Sequence, residues 1–193
     1  EIEDCTSLET VVSFIETPFE LGEGAFCARE SYDGGNDWLE FDLHFNLYVP
    51  IGTKGLYRAA GWDVDESYGN YRTILSGTPE NPGSFTFDGI VYDPIDATTV
   101  ELIDGKNASG DVAIPSMVTN GNVSYQVTEI GACAFKGNTS LTSIVIPNCI
   151  KAIRPFAFNG CTGLTTVISY IETPFSLGAL KGVFLNNENV VYA

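Results

Sequence analysis

The sequence predicts a mainly β fold with short helices and turns (α+β), in which the chain winds repeatedly as a solenoid. Two observations predict it. Residues 130–144 are copied by residues 153–167, with a period of 153 − 130 = 23 residues, and a fixed period of this length indicates a solenoid. Within the first copy, Leu141, Ile144 and Ile146 form an L-x-x-I-x-I pattern, whose last two members alternate as in a strand.

Each coil of this repeat is predicted to hold one strand and one tight return. The three apolar residues point inward, and Pro147 ends the strand because it has no N–H to donate. Phe135 and Phe158 are expected to fill the layer between successive coils, while Gly137 and Gly160 permit the return. Because one coil cannot bury its own apolar face, each coil depends on its neighbours.

The repeat resembles the BspA-like leucine-rich repeats of bacterial surface proteins. The resemblance rests on I-x-x-x-A-F-x-G-C-T-G-L-T-x-V over residues 153–167, preceded by Ile-Pro, and it covers about 113–175. It implies a leucine-rich-repeat solenoid in which the leucine, Val/Ile, Ile-Pro and Ala-Phe positions are structural. It also implies that no catalytic residue or cofactor is part of the repeat.

A second, longer copy predicts that whole modules recur. Residues 5–22 match residues 161–178 at an offset of 161 − 5 = 156, and 13 of these 18 positions are identical. We therefore predict two partial modules joined by a short linker. Residues 1–78 form the C-terminal half of one module with its closing cap, 79–83 are the linker, and 84–193 supply an N-terminal hairpin cap and the repeats of a following module.

In the first module one strand and one helix are expected. Strictly alternating apolar residues predict a strand over 40–49, namely Phe41, Leu43, Phe45, Leu47 and Val49. A helix over 54–60 follows, capped by Thr53, with Leu56 and two alanines on one face. By resemblance this segment closes BspA-like arrays, and Trp62 would shield the last coil.

In the second module two hairpins precede or interrupt the repeats. The first is predicted to turn at Asp88-Gly89 and the second at Asn120-Gly121, because these dipeptides favour tight hairpin turns. A further strand is expected over 98–103. Beginning with a hairpin suits an N-terminal cap, since the first coil needs a cover.

The charge excludes some partners. The net charge is −16, and residues 1–80, with 4 basic and 16 acidic side chains, contribute −12 of it. Nucleic acid and anionic membrane are poor partners for such a chain, and no apolar run reaches the roughly 18 residues of a membrane span. The chain opens in mid-repeat, so we expect a fragment of a longer protein.

Side chains that carry chemistry are sparse. His44 is expected on the polar side of its strand, with no nucleophile or orienting carboxylate in the local sequence. Asp33, Asn36 and Asp37 are candidate calcium ligands, but we interpret them as an ordinary acidic turn because they lack the spacing of an EF-hand loop. Asp63, Asp65 and Glu66 are a second candidate, which we interpret as a solvated turn. We expect no enzyme activity, no metal and no cofactor.

The spacing of the five cysteines does not indicate a disulfide framework. Cys5 and Cys161 share one repeat position, and Cys133 falls where Phe156 falls a repeat later. We interpret these sites as core thiols. A bridge between Cys133 and Cys149, or between Cys149 and Cys161, is left open.

The outer strand face is the predicted contact surface. The residues that alternate out of the core are Ser143, Val145, Thr166, Ile168, Thr10 and Val12, and Tyr170 and Phe14 lie at the border of the face. The favoured function is a non-catalytic binding or adhesion module that contacts an extracellular or host protein. A structural spacer is the alternative, and a saccharide-binding module, suggested by 9 Tyr and 2 Trp, is the second alternative. Head-to-tail self-association through open repeat ends is also expected.

Overall fold

The computed structural model describes residues 9–20, 27–31, 38–42, 46–62, 73–79, 83–173, 182–184 and 191–192. The chain divides into two compact units, Glu1–Pro82 and Gly83–Ala193. The division falls within the segment expected to be a linker, whereas the assignment of each unit to part of a module stays a prediction. No helix in the described ranges is long and apolar enough to cross a membrane.

In the first unit, the part of the chain that the structure describes forms a parallel sheet, an antiparallel strand pair and one short helix. Its elements are β1 (Thr10–Val12), β2 (Cys27–Ser31), β3 (Trp38–Asp42), β4 (Asn46–Val49), α1 (Lys54–Ala59) and β5 (Thr73–Ser76). The parallel sheet has the order β1-β4-β5, and β2 pairs with β3. Parallel neighbours from segments far apart in sequence are the arrangement that stacked coils produce.

The prediction of one strand over 40–49 is wrong in its continuity. Within that range β3 pairs antiparallel with β2, whereas β4 pairs in parallel with β1 and β5. Leu47 and Val49 are fully buried, as expected. Residues 43–45, His44 included, lie outside the described residues. The alternation predicted the strand conformation, but it carried no information about which partner each half would take.

The helix is confirmed in position but not in its buried face. Thr53 precedes α1, yet its hydroxyl donates to the Pro50 carbonyl over 2.7 Å and makes no capping bond. Leu56 is 52% exposed, whereas Lys54 and Tyr57 are buried. In a helix of six residues the contacts made by one large aromatic side chain outweigh the apolar pattern, so the Tyr57 face turns inward.

The described residues of the second unit form ten strands in two sheets. They are β6 (Phe85–Phe87), β7 (Ile90–Pro94), β8 (Thr99–Asp104), β9 (Gly110–Ala113), β10 (Met117–Asn120), β11 (Val123–Ile130), β12 (Leu141–Ile146), β13 (Ala152–Ile153), β14 (Thr166–Ser169) and β15 (Val191–Tyr192). One sheet runs β10-β11-β8-β7-β6, with β13 paired to β11, and the other is parallel throughout, in the order β15-β14-β12-β9. The chain is thus mostly β with little helix, and the repeats form a solenoid.

Both predicted hairpins are present, and one turns a residue later than expected. Asp88 and Gly89 have φ of 49° and 77°, the positive values that a tight hairpin turn requires at both central positions. In the second hairpin Asn120 pairs with Val123, so Gly121 and Asn122 form the turn. Asn120 is therefore the last residue of its strand.

The repeat register is confirmed by the core. Leu141, Ile144 and Ile146 are buried, and the strand ends at Ile146, directly before Pro147. The Phe135 and Phe158 rings are both fully buried and stack at 5.1 Å. A third ring continues this stack, because Phe184 lies 5.1 Å from Phe158 at an interplanar angle of 5°. Phe184 does not follow the sequence period, because it comes 26 residues after Phe158 rather than 23.

One glycine is required for this stack. A β-carbon at Gly105 would lie 2.2 Å from Cε1 of Phe135, a separation that real atoms do not adopt. The ring therefore occupies the space next to the Gly105 backbone. Gly137 and Gly160, with φ of 75° and 71°, make the returns as predicted.

Polar side chains also join successive coils. Asn138 is 4% exposed, and its amide donates to the carbonyls of Gly105 and Ala108 over 3.1 and 2.7 Å. One repeat later Cys161 stands at this position and donates its thiol to the Phe135 carbonyl over 2.9 Å. Both residues therefore satisfy a backbone carbonyl of an earlier part of the solenoid, and burial raises the pKa of the Cys161 thiol.

The expectation that Cys133 is a core thiol is wrong. Cys133 and Phe156 have φ of 58° and 57° and both are only half-buried. This repeat position adopts the left-handed backbone conformation, which aims the side chain away from the core. Cys133, Cys149 and Cys161 are all free thiols, so neither bridge left open is formed. Cys5 lies outside the described residues.

Candidate binding face

The parallel sheet of the second unit carries two outward rows. Ser143 lies opposite Asp111 on β9 and Thr166 on β14. Exposure alternates along β12, since Leu141, Ile144 and Ile146 are buried while the residues between them are not. This first row is polar.

The second row is apolar. Val145 lies opposite Ala113 on β9 and Ile168 on β14, two residues beyond the polar row on each strand. Val145 and Ile168 are half-buried and Ala113 is exposed. The structure therefore brings together the four face residues predicted in this unit, and it adds Asp111 and Ala113, which the strand register alone could have indicated.

Asp111 is tied into the polar row by two hydroxyl groups. Ser143 donates to its Oδ1 over 2.7 Å and Thr142 donates to the same oxygen over 2.9 Å. These hydrogen bonds, the one from Ser143 first, lower the pKa of the Asp111 carboxyl below its ordinary value. The polar row therefore presents a fixed negative charge at physiological pH.

Tyr170 stands at the border of this face. Its side chain is 62% exposed, and its N–H donates to the Ile146 carbonyl over 2.9 Å. A cavity of about 580 Å³ lies beside it, between the residues that follow β12 and those that follow β14. Tyr170 thus supplies an exposed aromatic ring on a backbone held by the neighbouring coil.

The first unit carries its own, separate face. Val12 lies opposite Tyr48, and Tyr48 lies opposite Leu75, in a row that is half-buried throughout. Thr10 is exposed, and Phe14 is 78% exposed. The three predicted residues are therefore together at one sheet, and Tyr48 and Leu75 join them. The sequence pattern does not indicate Tyr48 or Leu75, because their pairing partners are distant in sequence.

A second cavity lies elsewhere in the second unit. It measures about 450 Å³, and its lining includes Phe87, Asp88, Tyr92, Asn107 and Asp111. Tyr92 is fully buried, and its hydroxyl has no hydrogen-bond partner among the described residues. Burial, with the charge of Asp88 as a smaller cause, raises the pKa of Tyr92. This cavity combines aromatic rings with amide and carboxylate groups.

Metal-binding clusters are not found in the described ranges, where no group of three or more His, Cys, Asp or Glu side chains is placed to hold an ion. The two acidic clusters considered for calcium lie outside the described residues. Their interpretation as ordinary turns stays a prediction.

Comparison with known proteins identifies the repeats. Residues 116–180 match the family model described as "BspA type Leucine rich repeat region (6 copies)". No curated protein matches the chain.

Three solved structures are similar over part of the chain. The first is a leucine rich cell surface protein from Faecalibacterium prausnitzii A2-165, with 26% identity and a TM-score of 0.44, covering 50% of this chain and 26% of that one. The second is a leucine-rich repeat protein from Bacteroides capillosus ATCC 29799, with 22% identity and a TM-score of 0.40, covering 45% and 72%. The third is a leucine-rich repeat protein from Bacteroides ovatus ATCC 8483, with 34% identity and a TM-score of 0.38, covering 43% and 22%.

The chain thus spans about a quarter of the length of the first of these structures. The matched range contains the 23-residue copy and the Phe135–Phe158 stack. It also contains β12, which ends at Ile146 directly before Pro147. Residues 116–180 are therefore similar to the BspA type leucine-rich repeats.

Proposed function

We propose that the chain is a non-catalytic binding or adhesion module of a secreted or surface-anchored bacterial protein, and that its outer strand face contacts an extracellular or host protein. The observation that supports the proposal is the pair of rows across β9, β12 and β14. One row is polar and the other is apolar, and they are neighbours on the outer face of a parallel sheet. The bacterial surface is carried over from the resemblance to BspA-like repeats.

The face has the chemistry of a contact surface. Val145 and Ile168 offer apolar area, while Asp111, Ser143 and Thr166 offer hydrogen-bonding groups beside it. Rigid backbones lower the entropy lost on binding, and the sheet hydrogen bonds supply that rigidity. The exposed aromatic ring at the border is the type of residue that is enriched among binding hot spots.

The described face is small. Neighbouring strands lie roughly 4.8 Å apart, so three strands make a patch about 10 Å wide. A stable interface buries about 800 Å² on each partner. The proposed binding is therefore weak for one such face, and affinity would grow with the number of coils that contact the partner.

A binding panel tests the proposal. The full chain would be immobilised and probed with host extracellular-matrix and cell-surface proteins, and any saturable binder would be measured again with Ile168→Asp and with Tyr170→Ala. We expect each variant to lower affinity about tenfold or more. The matched control is Val123→Asp, at an apolar residue that is 46% exposed on β11 and outside both rows.

Three results would count against binding by this face. Equal losses with Val123→Asp and Ile168→Asp would indicate a nonspecific charge effect. Unchanged affinity in both face variants would place the binding elsewhere. If no protein in the panel binds saturably, the structural spacer is the better proposal.

Saccharide binding is a second candidate because of the cavity that Tyr92 lines. Sugars are bound by aromatic rings together with amide and carboxylate groups, and Phe87, Asn107 and Asp111 supply these. Titration of the ¹⁵N-labelled chain with mono- and oligosaccharides would test it. Shifts centred on Asn107 that disappear in Asn107→Ala would support this candidate, and an unchanged spectrum at millimolar sugar would exclude it.

A further inference from the structure

Strand β9 is an edge of the parallel sheet, because among the described strands it pairs with β12 alone. On that side the N–H groups of Gly110 and Ile114 donate to carbonyls of the next coil over 2.8 and 3.0 Å. Successive backbone groups of a strand point to alternate sides, so those of Asp111 and Ala113 point away from β12. No backbone hydrogen bond to these outward groups comes from the described part of the chain. The edge therefore presents unpaired donors and acceptors.

The cavity of about 450 Å³ lies along this unpaired edge. Its lining includes three consecutive residues of β9, Asp111, Val112 and Ala113. Successive side chains of a strand point to opposite faces of the sheet, so a cavity over one face would be lined by alternate residues. The cavity is therefore beside the strand, where one further strand would lie.

The first hairpin and the loop before β9 supply most of the remaining lining. Phe87, Ile90 and Tyr92 are its large apolar side chains. Tyr92 is fully buried, and its hydroxyl has no hydrogen-bond partner among the described residues. Buried polar groups without a partner are rare. The lining thus holds hydrogen-bonding capacity that the described residues do not use.

The charge of this cavity is negative. Asp88 and Asp111 belong to its lining, whereas no Lys, Arg or His of the described ranges does. Hydrogen bonds from Ser143 and Thr142 lower the pKa of Asp111, so this carboxyl is ionised at neutral pH. Lys106, close by in sequence, is exposed and is not a lining residue. Electrostatic complementarity therefore favours a cationic occupant.

We propose that the unpaired edge of β9 binds an extended peptide segment of a basic partner protein, whose Lys or Arg side chain enters the acidic cavity. The outward N–H and C=O groups of Asp111 and Ala113 pair with the peptide backbone, which adds one strand to the sheet. This site shares Asp111 with the polar row of the outer face. It does not require that the outer face binds, because it uses backbone groups at the edge of the sheet.

The same charge argues against a segment of this chain as the occupant. The net charge is −16, and residues 1–80 carry 16 acidic side chains against 4 basic ones. Like charges brought together at an interface are unfavourable. Within the second unit, the last described strands, β14 and β15, lie toward the opposite edge of the sheet from β9. A partner of opposite charge is therefore the favoured occupant.

A designed peptide tests the strand addition. The probe has about nine residues, the length of an ordinary strand, with alternating Thr and Val and one central Arg. It would be titrated into the ¹⁵N-labelled full chain. We expect saturable amide shifts over residues 111–113, and amide exchange slowed about tenfold or more at Asp111 and Ala113, because their N–H groups gain acceptors.

Two control peptides separate the backbone from the charge. One has Glu in place of the central Arg, and the other keeps all side chains but has every backbone amide N-methylated. Each should bind about tenfold more weakly or less than that. Asp88→Asn, which suits the positive φ of 49°, should weaken binding of the Arg peptide and strengthen binding of the Glu peptide.

A matched pair of substitutions tests the edge itself. Ala113→Pro removes the outward N–H and leaves the ladder to β12 intact, because an edge strand accepts proline where its N–H side faces away from the sheet. Ala113→Ser keeps the N–H. We expect the proline variant to bind the Arg peptide about tenfold more weakly and the serine variant to bind it as the parent chain does. Unchanged amide shifts at Ile144 would show that the sheet is intact in both.

Each other occupant of the edge gives a different result. Slow amide exchange at Asp111 and Ala113 in the free chain would show that the chain itself already covers the edge. Concentration-dependent shifts at these residues in the free chain would indicate a second copy. Saturable binding of oligosaccharides, with none of the Arg peptide, would favour the saccharide candidate. Any of these three results would overturn the proposal.

The peptide series has its own contrary outcomes. Equal affinity for the Arg peptide and its N-methylated form would show that backbone pairing is not used. Equal affinity for the Arg and Glu peptides would show that the acidic cavity does not select a cation. If the Arg peptide does not bind saturably, the site is overturned and binding by the outer face is unaffected, since that face is tested with Ile168→Asp and Tyr170→Ala.

Discussion

The described parts of the two copies, residues 9–20 and 161–173, show that the burial of a repeat residue depends on the strands beside it. Both form a parallel strand, β1 and β14, at the same place in the copy. Val167 on β14 is 4% exposed, whereas its counterpart Val11 is only half-buried. Val167 lies between Ile144 and Tyr192, while among the described strands β1 has one neighbour, where Leu47 lies opposite Val11. Nearly the same sequence is therefore core in one unit and half-exposed in the other.

The two units also differ in the contacts that cover their repeats. Tyr57 and Trp62 donate hydrogen bonds to the carbonyls of Ile15 and Phe19 after β1. In the second unit, successive coils are joined by the stack of Phe135, Phe158 and Phe184. The stacked rings bury apolar surface between coils, whereas Tyr57 and Trp62 contact the first copy through hydrogen bonds to its backbone carbonyls. Nearly the same sequence thus contacts a short helical segment in the first unit and a neighbouring coil in the second.

The largest expected effect is loss of the stack. Phe158→Ala should lower the free energy of unfolding of the second unit by about 3–5 kcal/mol, because it leaves a cavity against two rings. Residue-resolved denaturation followed by NMR measures it. A change below about 1 kcal/mol would contradict the repeat register. The control Phe14→Ala, at a side chain that is 78% exposed, should cost little.

The matched valines give the next effect. Val167→Ala should cost about 2 kcal/mol, from two lost methyl groups and a residual cavity. Val11→Ala should cost about half as much, since Val11 already contacts solvent. Both are measured by denaturant unfolding with residue-resolved detection. Equal losses would mean that the difference in exposure between the two copies is not present in solution.

Two tyrosine substitutions test the contacts that Tyr57 makes with the first copy. Tyr57→Phe removes the hydroxyl that joins Ser13 and Ile15, and it should destabilise the first unit by about 1–2 kcal/mol. Tyr170→Phe should change the second unit by about 0.5 kcal/mol or less, because this side chain is exposed and its counterpart is already Phe14. Thermal unfolding with local probes measures both. A larger loss in Tyr170→Phe than in Tyr57→Phe would contradict the observed contacts.

The smallest effect is the pH dependence of Asp111. Its pKa is lowered in the folded state by hydrogen bonds from Ser143 and Thr142, so the group stabilises the fold above its unfolded pKa. That contribution is lost as the pH falls through the lowered folded pKa. NMR titration of the carboxyl carbon should give a value below that of an unfolded Asp, and Ser143→Ala should raise it. An unshifted Asp111 would show that the polar row is not ordered in solution.

Much of the repeat was predictable from the residues themselves. The 23-residue copy and the alternation at Leu141, Ile144 and Ile146 specify the strand, its inward face and its end at Pro147, because chain geometry converts spacing into direction. Asp88-Gly89 likewise specified its hairpin. The same reasoning placed the outward residues of β12 and β14, and therefore most of the candidate face.

What only the tertiary structure decided is which element lies beside which. The alternation over 40–49 continues through two strands that belong to different sheets, and α1 buries Tyr57 rather than Leu56. Phe184 joins the stack although it departs from the period. Local spacing determines the direction of a side chain, whereas burial and pairing depend on surfaces distant in sequence, so two nearly identical copies acquire different surroundings.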